Sequence, residues 1–167
     1  FENNIYINTN VIKCAYKVGV TTLVACLSTC VYPDIIKYPI TEDQFHNGEP
    51  NKSNFGYSYS KRMLEVQCRA YNEQYKTKYT CIIPTNIYGP HDNFSLRDSH
   101  VIPGLIHKFF LAKKENKQII LPGSGLAVRQ FVYSLDVAQY ILNILKSEHL
   151  KKTVYNICED SHYEISI

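Results

Sequence analysis

Two short apolar runs constrain the fold of this chain more than any other feature: Thr-Leu-Val-Ala-Cys-Leu at 22–27 and Tyr-Thr-Cys-Ile-Ile at 79–83. Neither run alternates polar and apolar positions, so each suits a strand covered on both faces. Between them lies a long irregular region with Pro33, Pro39, Gly48 and Pro50, then a helix-compatible segment at 57–75 carrying Met63, Leu64, Val66, Ala70 and Tyr71. Buried strands linked through helices make a parallel sheet, because parallel neighbours cannot be joined by a tight hairpin. Further helices are predicted at 5–18, ending before Gly19, at 101–112 with Pro103 in the first turn, and at 134–145 with Ser134 as a cap and Asp136 in the first turn. Short strands are predicted at 118–121, 130–132 and 153–157. The segment Pro84-Thr85-Asn86-Ile87-Tyr88-Gly89-Pro90 reads as a rigid loop, since its prolines resist strand pairing. The sum is an α/β domain with a mostly parallel sheet.

A length of 167 residues suits one domain with a sizeable core. With 45% hydrophobic and 20% charged residues, the chain fits a folded protein better than a disordered one. The formal charge of +3 is modest, and Lys113-Lys114-Glu115-Asn116-Lys117 reads as a solvated helix end, which argues against nucleic-acid binding. The six cysteines form no close Cys-x-x-Cys pair, so thiols in a reducing, cytoplasmic setting are expected, with neither a disulfide framework nor a metal site. No apolar run reaches membrane-spanning length, and the expectation is no membrane association. Gly123-Ser124-Gly125-Leu126-Ala127-Val128 begins like a phosphate-binding turn. It lacks the strand-to-helix setting, and its last position carries a branched side chain, so it is rejected in that role. The chain opens at Phe1 almost directly into a helix and closes at Ser166-Ile167, where Ser166 would cap a helix that does not follow. A central fragment, 1–167, is the expectation.

The chemically suggestive element is Tyr57-Ser58-Tyr59-Ser60-Lys61, downstream of Leu27-Ser28-Thr29-Cys30. Four residues apart on a helix, Tyr57 and Lys61 share a face. A nearby ammonium favours the phenolate and eases proton exchange with a carbonyl oxygen, which suits redox chemistry at a sugar or alcohol carbon. Each residue also has an ordinary reading. Lys61 can be a solvated helix residue, Ser28 a loop or cap residue, Cys30 an inert buried thiol and His100 a helix cap.

Taken in order, the residues resemble the GDP-L-fucose synthases of the extended short-chain dehydrogenase/reductases. The resemblance runs through Cys26-Leu27-Ser28-Thr29-Cys30 and Tyr57-Ser58-Tyr59-Ser60-Lys61. It continues through Pro84-Thr85-Asn86-Ile87-Tyr88-Gly89-Pro90-His91-Asp92-Asn93-Phe94, Ser99-His100-Val101-Ile102-Pro103 and Arg129-Gln130-Phe131. It implies a partial Rossmann-like NADP-binding fold, lacking its N-terminal half-sheet with the Gly-rich pyrophosphate loop and most of the C-terminal substrate-binding portion. It further implies NADP(H) as cofactor, GDP-4-keto-6-deoxy-D-mannose as substrate and a homodimer. The reaction would invert C3 and C5 and then reduce the C4 ketone.

In that resemblance Cys30 is the base and His100 its acid partner. Tyr57 donates the proton to the C4 oxygen, Ser28 orients that oxygen, and Lys61 favours the reactive form of Tyr57. Tyr57, Lys61, Pro84, Thr85, Asn86, Ile87 and His100 take cofactor contacts, and Lys108 and Arg129 contact the nucleotide sugar. Pro122 departs from the family, which commonly presents Trp there, and proline offers neither an indole N–H nor a stacking surface. Substrate specificity is the property this departure touches. Another extended nucleotide-sugar epimerase or dehydratase is the alternative enzyme, and Cys30 and His100 argue against it because redox at C4 alone needs no such proton-exchange pair. A catalytically silent fragment is the other alternative, and the isolated chain is expected to be marginal or inactive, since a parallel strand without neighbours exposes backbone polar groups.

Overall fold

The computed structural model describes residues 1–121, 123–159 and 164–166. In chain order the elements are α1 (Glu2–Lys17), β1 (Thr22–Cys26), α2 (Phe55–Tyr75), β2 (Lys78–Pro84), β3 (Asn86–Tyr88), α3 (Val101–Glu115), β4 (Val128–Tyr133), α4 (Ser134–Lys146), β5 (Val154–Ile157) and β6 (Glu164–Ser166). Single 3-10 turns occur at Thr29–Val31, Glu42–Gln44 and Lys52–Asn54. The chain divides into two compact units, one made of Phe1–Thr85 with Ala138–Ile157 and the other of Asn86–Val137 with Cys158–Ile167.

The first unit is built on an all-parallel sheet in the order β1-β2-β5. Strand β2 lies between the other two, which explains its uninterrupted burial from Tyr79 to Pro84. Tyr79, Cys81 and Ile82 are fully buried and Ile83 nearly so. Residues two apart share a face, so Tyr79, Cys81 and Ile83 meet the helices, and they cluster with Ile12 of α1 and Leu64 and Cys68 of α2. Each such large aliphatic side chain withdrawn from water contributes roughly 1.5–3 kcal/mol. Helix α1 stops where Gly19 takes a φ of 79°, with Val20 N–H donating back to the Ala15 carbonyl. Helix α2 stops at Lys76, also left-handed at φ 58°. Just before it, the Asn72 amide accepts from Tyr79 N–H and donates to the Tyr79 carbonyl, both at 2.7 Å.

The second unit holds a sheet in the order β3-β4-β6, with β3 and β4 parallel and β4 and β6 antiparallel. Here the structure corrects three sequence expectations. Residues 86–88, predicted as loop, form a strand in register with β4, Ile87 opposite Val132. The prolines at 84 and 90 bound this strand without interrupting it, and Ile87 and Tyr88 are good strand formers. Residues 118–121, predicted as a strand, are irregular; Ile120 is 84% exposed, and an apolar run that gains no neighbour does not become a strand. Ser166, expected as a helix cap, closes β6 instead. The parallel α/β organisation itself is as predicted, in the manner of a partial Rossmann-like fold.

Among the described residues no helix is long and apolar enough to cross a membrane, and no group of three or more His, Cys, Asp or Glu side chains could hold a metal ion.

Candidate active site

Parallel sheets present ligand sites outside the carboxyl ends of their strands, and that edge of the first unit gathers Ser28, Cys30, Tyr57 and Lys61. The ladder between β1 and β2 extends one residue past β1, as Leu27 N–H donates to the Ile82 carbonyl at 2.8 Å. The chain then turns. Ser28 is extended (φ −154°, ψ 152°), and its hydroxyl accepts from Cys30 N–H at 3.5 Å, capping the turn Thr29–Val31. A half-buried Cys30 therefore sits in a turn fixed by Ser28. The Cys30 carbonyl accepts from Asn51 N–H at 3.1 Å, which ties the same turn to the start of α2.

Tyr57 and Lys61 occupy the first turns of α2 on one face, as the spacing predicts. The Lys61 ammonium lies 5.6 Å from the Tyr57 ring centroid and donates to the Cys26 carbonyl at 2.8 Å, joining the helix to the end of β1. The Tyr57 phenol is pushed above its ordinary range, by burial first and then by the Cys30 and Cys26 sulfurs. The Ser28 hydroxyl, close enough to hydrogen-bond the phenol, acts in the opposite direction. The charge of Lys61 acts on Cys26, lowering a thiol that burial raises by more. A phenol that keeps its proton is a donor to an incoming oxyanion, while Ser28 bridges it to the thiol-bearing turn.

Thr85 stands at the end of β2, its N–H given to the Ile157 carbonyl at 2.9 Å and its buried hydroxyl without a partner among the described residues. An unpartnered buried hydroxyl at the carboxyl end of β2 is a group that a sugar hydroxyl could satisfy, which fits the nicotinamide-ribose end of a dinucleotide. Pro84 is buried in the strand.

The other predicted site residues belong to the second unit. The Asn86 amide is committed to the Gln130 carbonyl at 2.8 Å, and Ile87 is 40% exposed on β3. His100 is the N-cap residue of α3, its carbonyl accepting from Gly104 N–H at 3.0 Å while its side chain makes no capping hydrogen bond. Lys108 is half-buried on α3. Arg129 is exposed on β4, with Nη1 donating to the Val128 carbonyl at 2.7 Å. Pro122 lies outside the described residues. Gly123 and Gly125 both adopt positive φ in an irregular segment that leads into β4.

Sequence reasoning missed Arg62, which is 8% exposed. Its Nε donates to the Val31 carbonyl at 2.7 Å and its Nη1 to the Gly48 carbonyl at 2.6 Å, with the guanidinium 5.8 Å from the Phe45 ring centroid. The signal was the helical period: Ser58, Arg62 and Glu65 form one inward stripe at spacings of four and three.

Comparison with known proteins gives consistent matches. Residues 1–158 match the NAD dependent epimerase/dehydratase family. The GDP-L-fucose synthase of Dictyostelium discoideum is 51% identical over 168 residues, covering 100% of this chain and 52% of that protein. The GDP-L-fucose synthase of Escherichia coli is 35% identical over 147 residues, covering 87% of this chain and 46% of that protein. The crystal structure of a GDP-L-fucose synthetase from Naegleria fowleri bound to NADP superposes with a TM-score of 0.90 at 41% identity, covering 98% of this chain and 54% of that one. The chain spans about half the length of the curated relatives it matches.

Proposed function

The chain belongs to the NAD dependent epimerase/dehydratase family, and on that basis we propose that the whole protein is an NADPH-dependent epimerase-reductase converting GDP-4-keto-6-deoxy-D-mannose to GDP-L-fucose. The reading is supported most by Ser28, whose hydroxyl serves both the Cys30 turn and the Tyr57 phenol. One hydroxyl that meets both the backbone of a thiol-bearing turn and a phenol suits a substrate whose single carbonyl is used twice. First it accepts the electrons released when a neighbouring C–H is broken. Then it accepts a hydride.

In the first stage Cys30, as the base, removes a proton alpha to the C4 ketone at C3 or C5, and the charge spreads onto the C4 oxygen as an enolate. The Ser28 and Tyr57 hydroxyls stabilise that oxygen by hydrogen bonding. Inversion requires a proton delivered to the opposite face, the role proposed for His100. In the second stage bound NADPH supplies the hydride to C4. Tyr57 gives its proton to the forming alkoxide, and the elevated phenol pKa keeps that proton available. Lys61 holds the start of α2 against β1 and offers its remaining donors to the ribose. Thr85, Pro84, Asn86, Ile87 and His100 are proposed to contact the cofactor, and Lys108 and Arg129 the diphosphate of the substrate. A cytoplasmic homodimer completes the proposal.

The test is to supply the whole protein with GDP-4-keto-6-deoxy-D-mannose and NADPH and identify the nucleotide sugar formed. GDP-L-fucose with one NADPH oxidised per product is expected. A product epimerised at neither C3 nor C5 would replace this reading with C4 reduction alone.

A further inference from the structure

The turn that carries Cys30 and the helix that carries Tyr57 come from distant parts of the sequence, and a buried guanidinium joins them. Arg62 follows Lys61 on α2 but faces inward. Its Nε bond at 2.7 Å goes to the carbonyl of Val31, the residue after Cys30, and its Nη1 bond at 2.6 Å goes to the carbonyl of Gly48. Asn51 N–H holds the same turn from the other side, through the Cys30 and Tyr32 carbonyls, both at 3.1 Å. The guanidinium therefore spans the thiol-bearing turn and the loop leading to α2 from a position on the same rigid helix as Tyr57.

Stability alone does not explain this residue. Nη2 is buried without a partner among the described residues, and a charged group with an unpaired donor is costly to bury. An apolar side chain of similar length would fill the space without that cost. What an apolar side chain cannot do is fix two carbonyls at a set separation, and an ammonium cannot reproduce the planar fork.

We propose that Arg62 is a positioning residue that holds the Cys30 thiol in register with the Tyr57 hydroxyl, so that its loss impairs proton exchange more than hydride transfer. This rests on the epimerase-reductase reading above for its consequence in turnover, but not for its consequence at the thiol.

The test compares the whole protein with its Arg62→Met and Arg62→Lys variants. Cys30 alkylation by iodoacetamide is followed across pH and localised by mass spectrometry, with Cys30→Ser as the labelling control. In parallel, solvent deuterium incorporation at C3 and C5 is compared with NADPH oxidation. Arg62→Met is expected to change the alkylation rate by about fivefold or more and to lower deuterium incorporation about tenfold, with hydride transfer to an already epimerised 4-keto sugar reduced less than about threefold. Arg62→Lys, which keeps the charge but loses the fork, should fall between wild type and Arg62→Met. Equal losses in both half-reactions, with an unchanged thiol profile, would overturn the proposal. Loss of the helical circular dichroism in both variants would also overturn it, by assigning Arg62 to stability alone. If the unsubstituted protein incorporates no deuterium, the enzymatic reading fails, and the alkylation profile by itself decides the role of Arg62.

Discussion

Replacing Asn72 with Ala should release the central strand from the helix that carries Tyr57 and Lys61. In β2 the odd-numbered residues turn their backbone groups toward β5, as Cys81 N–H does to the Thr153 carbonyl and Thr85 N–H to the Ile157 carbonyl. Strand β5 begins only at Val154, so Tyr79 lies before its reach, and the Asn72 side chain substitutes for the missing neighbour. Its oxygen also accepts from the Thr77 hydroxyl at 2.9 Å. Tyr79 is 0% exposed, so water cannot replace either lost bond without local opening. A buried donor or acceptor left unpaired costs about 1–3 kcal/mol, and two such groups give about 2–5 kcal/mol after partial relaxation. The local assay is amide hydrogen exchange at Tyr79, for which a loss of about 1–3 kcal/mol corresponds to exchange faster by about 5- to 150-fold. Amides at the start of α2 should change less. Unchanged protection at Tyr79 in Asn72→Ala would refute the assignment of Asn72 as a surrogate strand.

Ile83→Ala, at a site 1% exposed near the carboxyl end of β2, should lower stability by about 2–5 kcal/mol in urea unfolding, the usual range for truncating a packed core side chain. Tyr57→Phe should slow reduction about 10²- to 10⁴-fold by removing the acid, while C3 and C5 exchange persists at a lower level. Ser28→Ala removes a hydroxyl that favours the phenolate, so a Tyr57 resonance followed by NMR should titrate at higher pH than in the unsubstituted protein. Glu42 is raised by burial, but the Asn156 N–H, at 3.0 Å, and the Lys152 ammonium outweigh that and hold it below its ordinary value. A carboxylate depressed in the fold stabilises above its unfolded pKa of about 4.3, and that stabilisation is lost as pH falls through the folded value. Glu42→Gln should therefore flatten the acid limb of a stability–pH curve below about pH 4.3.

The features legible in the sequence were those fixed by local pattern. The apolar runs at 22–27 and 79–83 became β1 and β2, and the Tyr57–Lys61 spacing needs only a helix. The central β2 is buried from Tyr79 to Pro84, while β1, paired on one edge only among the described residues, is buried at Ala25 alone. Strand β3 was not legible, because three residues between prolines become a strand only when β4 lies alongside. The reverse error at 118–121 has the same cause, an apolar run that found no neighbour. At the site, sequence named Ser28, Cys30, Tyr57 and Lys61 but not the wiring between them. The Lys61 amine is directed to a backbone carbonyl of β1, and Tyr57 responds chiefly to its burial and to two sulfurs, neither of which follows from spacing. Arg62 was hidden beside Lys61, since in a basic pair on a helix only the period shared with Ser58 and Glu65 marks the member that turns inward.

Where solvent hydrogen enters the product decides whether a thiol and a phenol act on one substrate carbonyl. The reaction should be run in deuterium oxide with unlabelled NADPH and the whole protein, and the nucleotide sugar examined by NMR. Deuterium at C3 and C5 with ordinary hydrogen at C4 is predicted, along with loss of the C3 and C5 label in Cys30→Ser. Deuterium-free C3 and C5 in a reduced product, or labelling unchanged in Cys30→Ser, would contradict a thiol and a phenol sharing one substrate carbonyl.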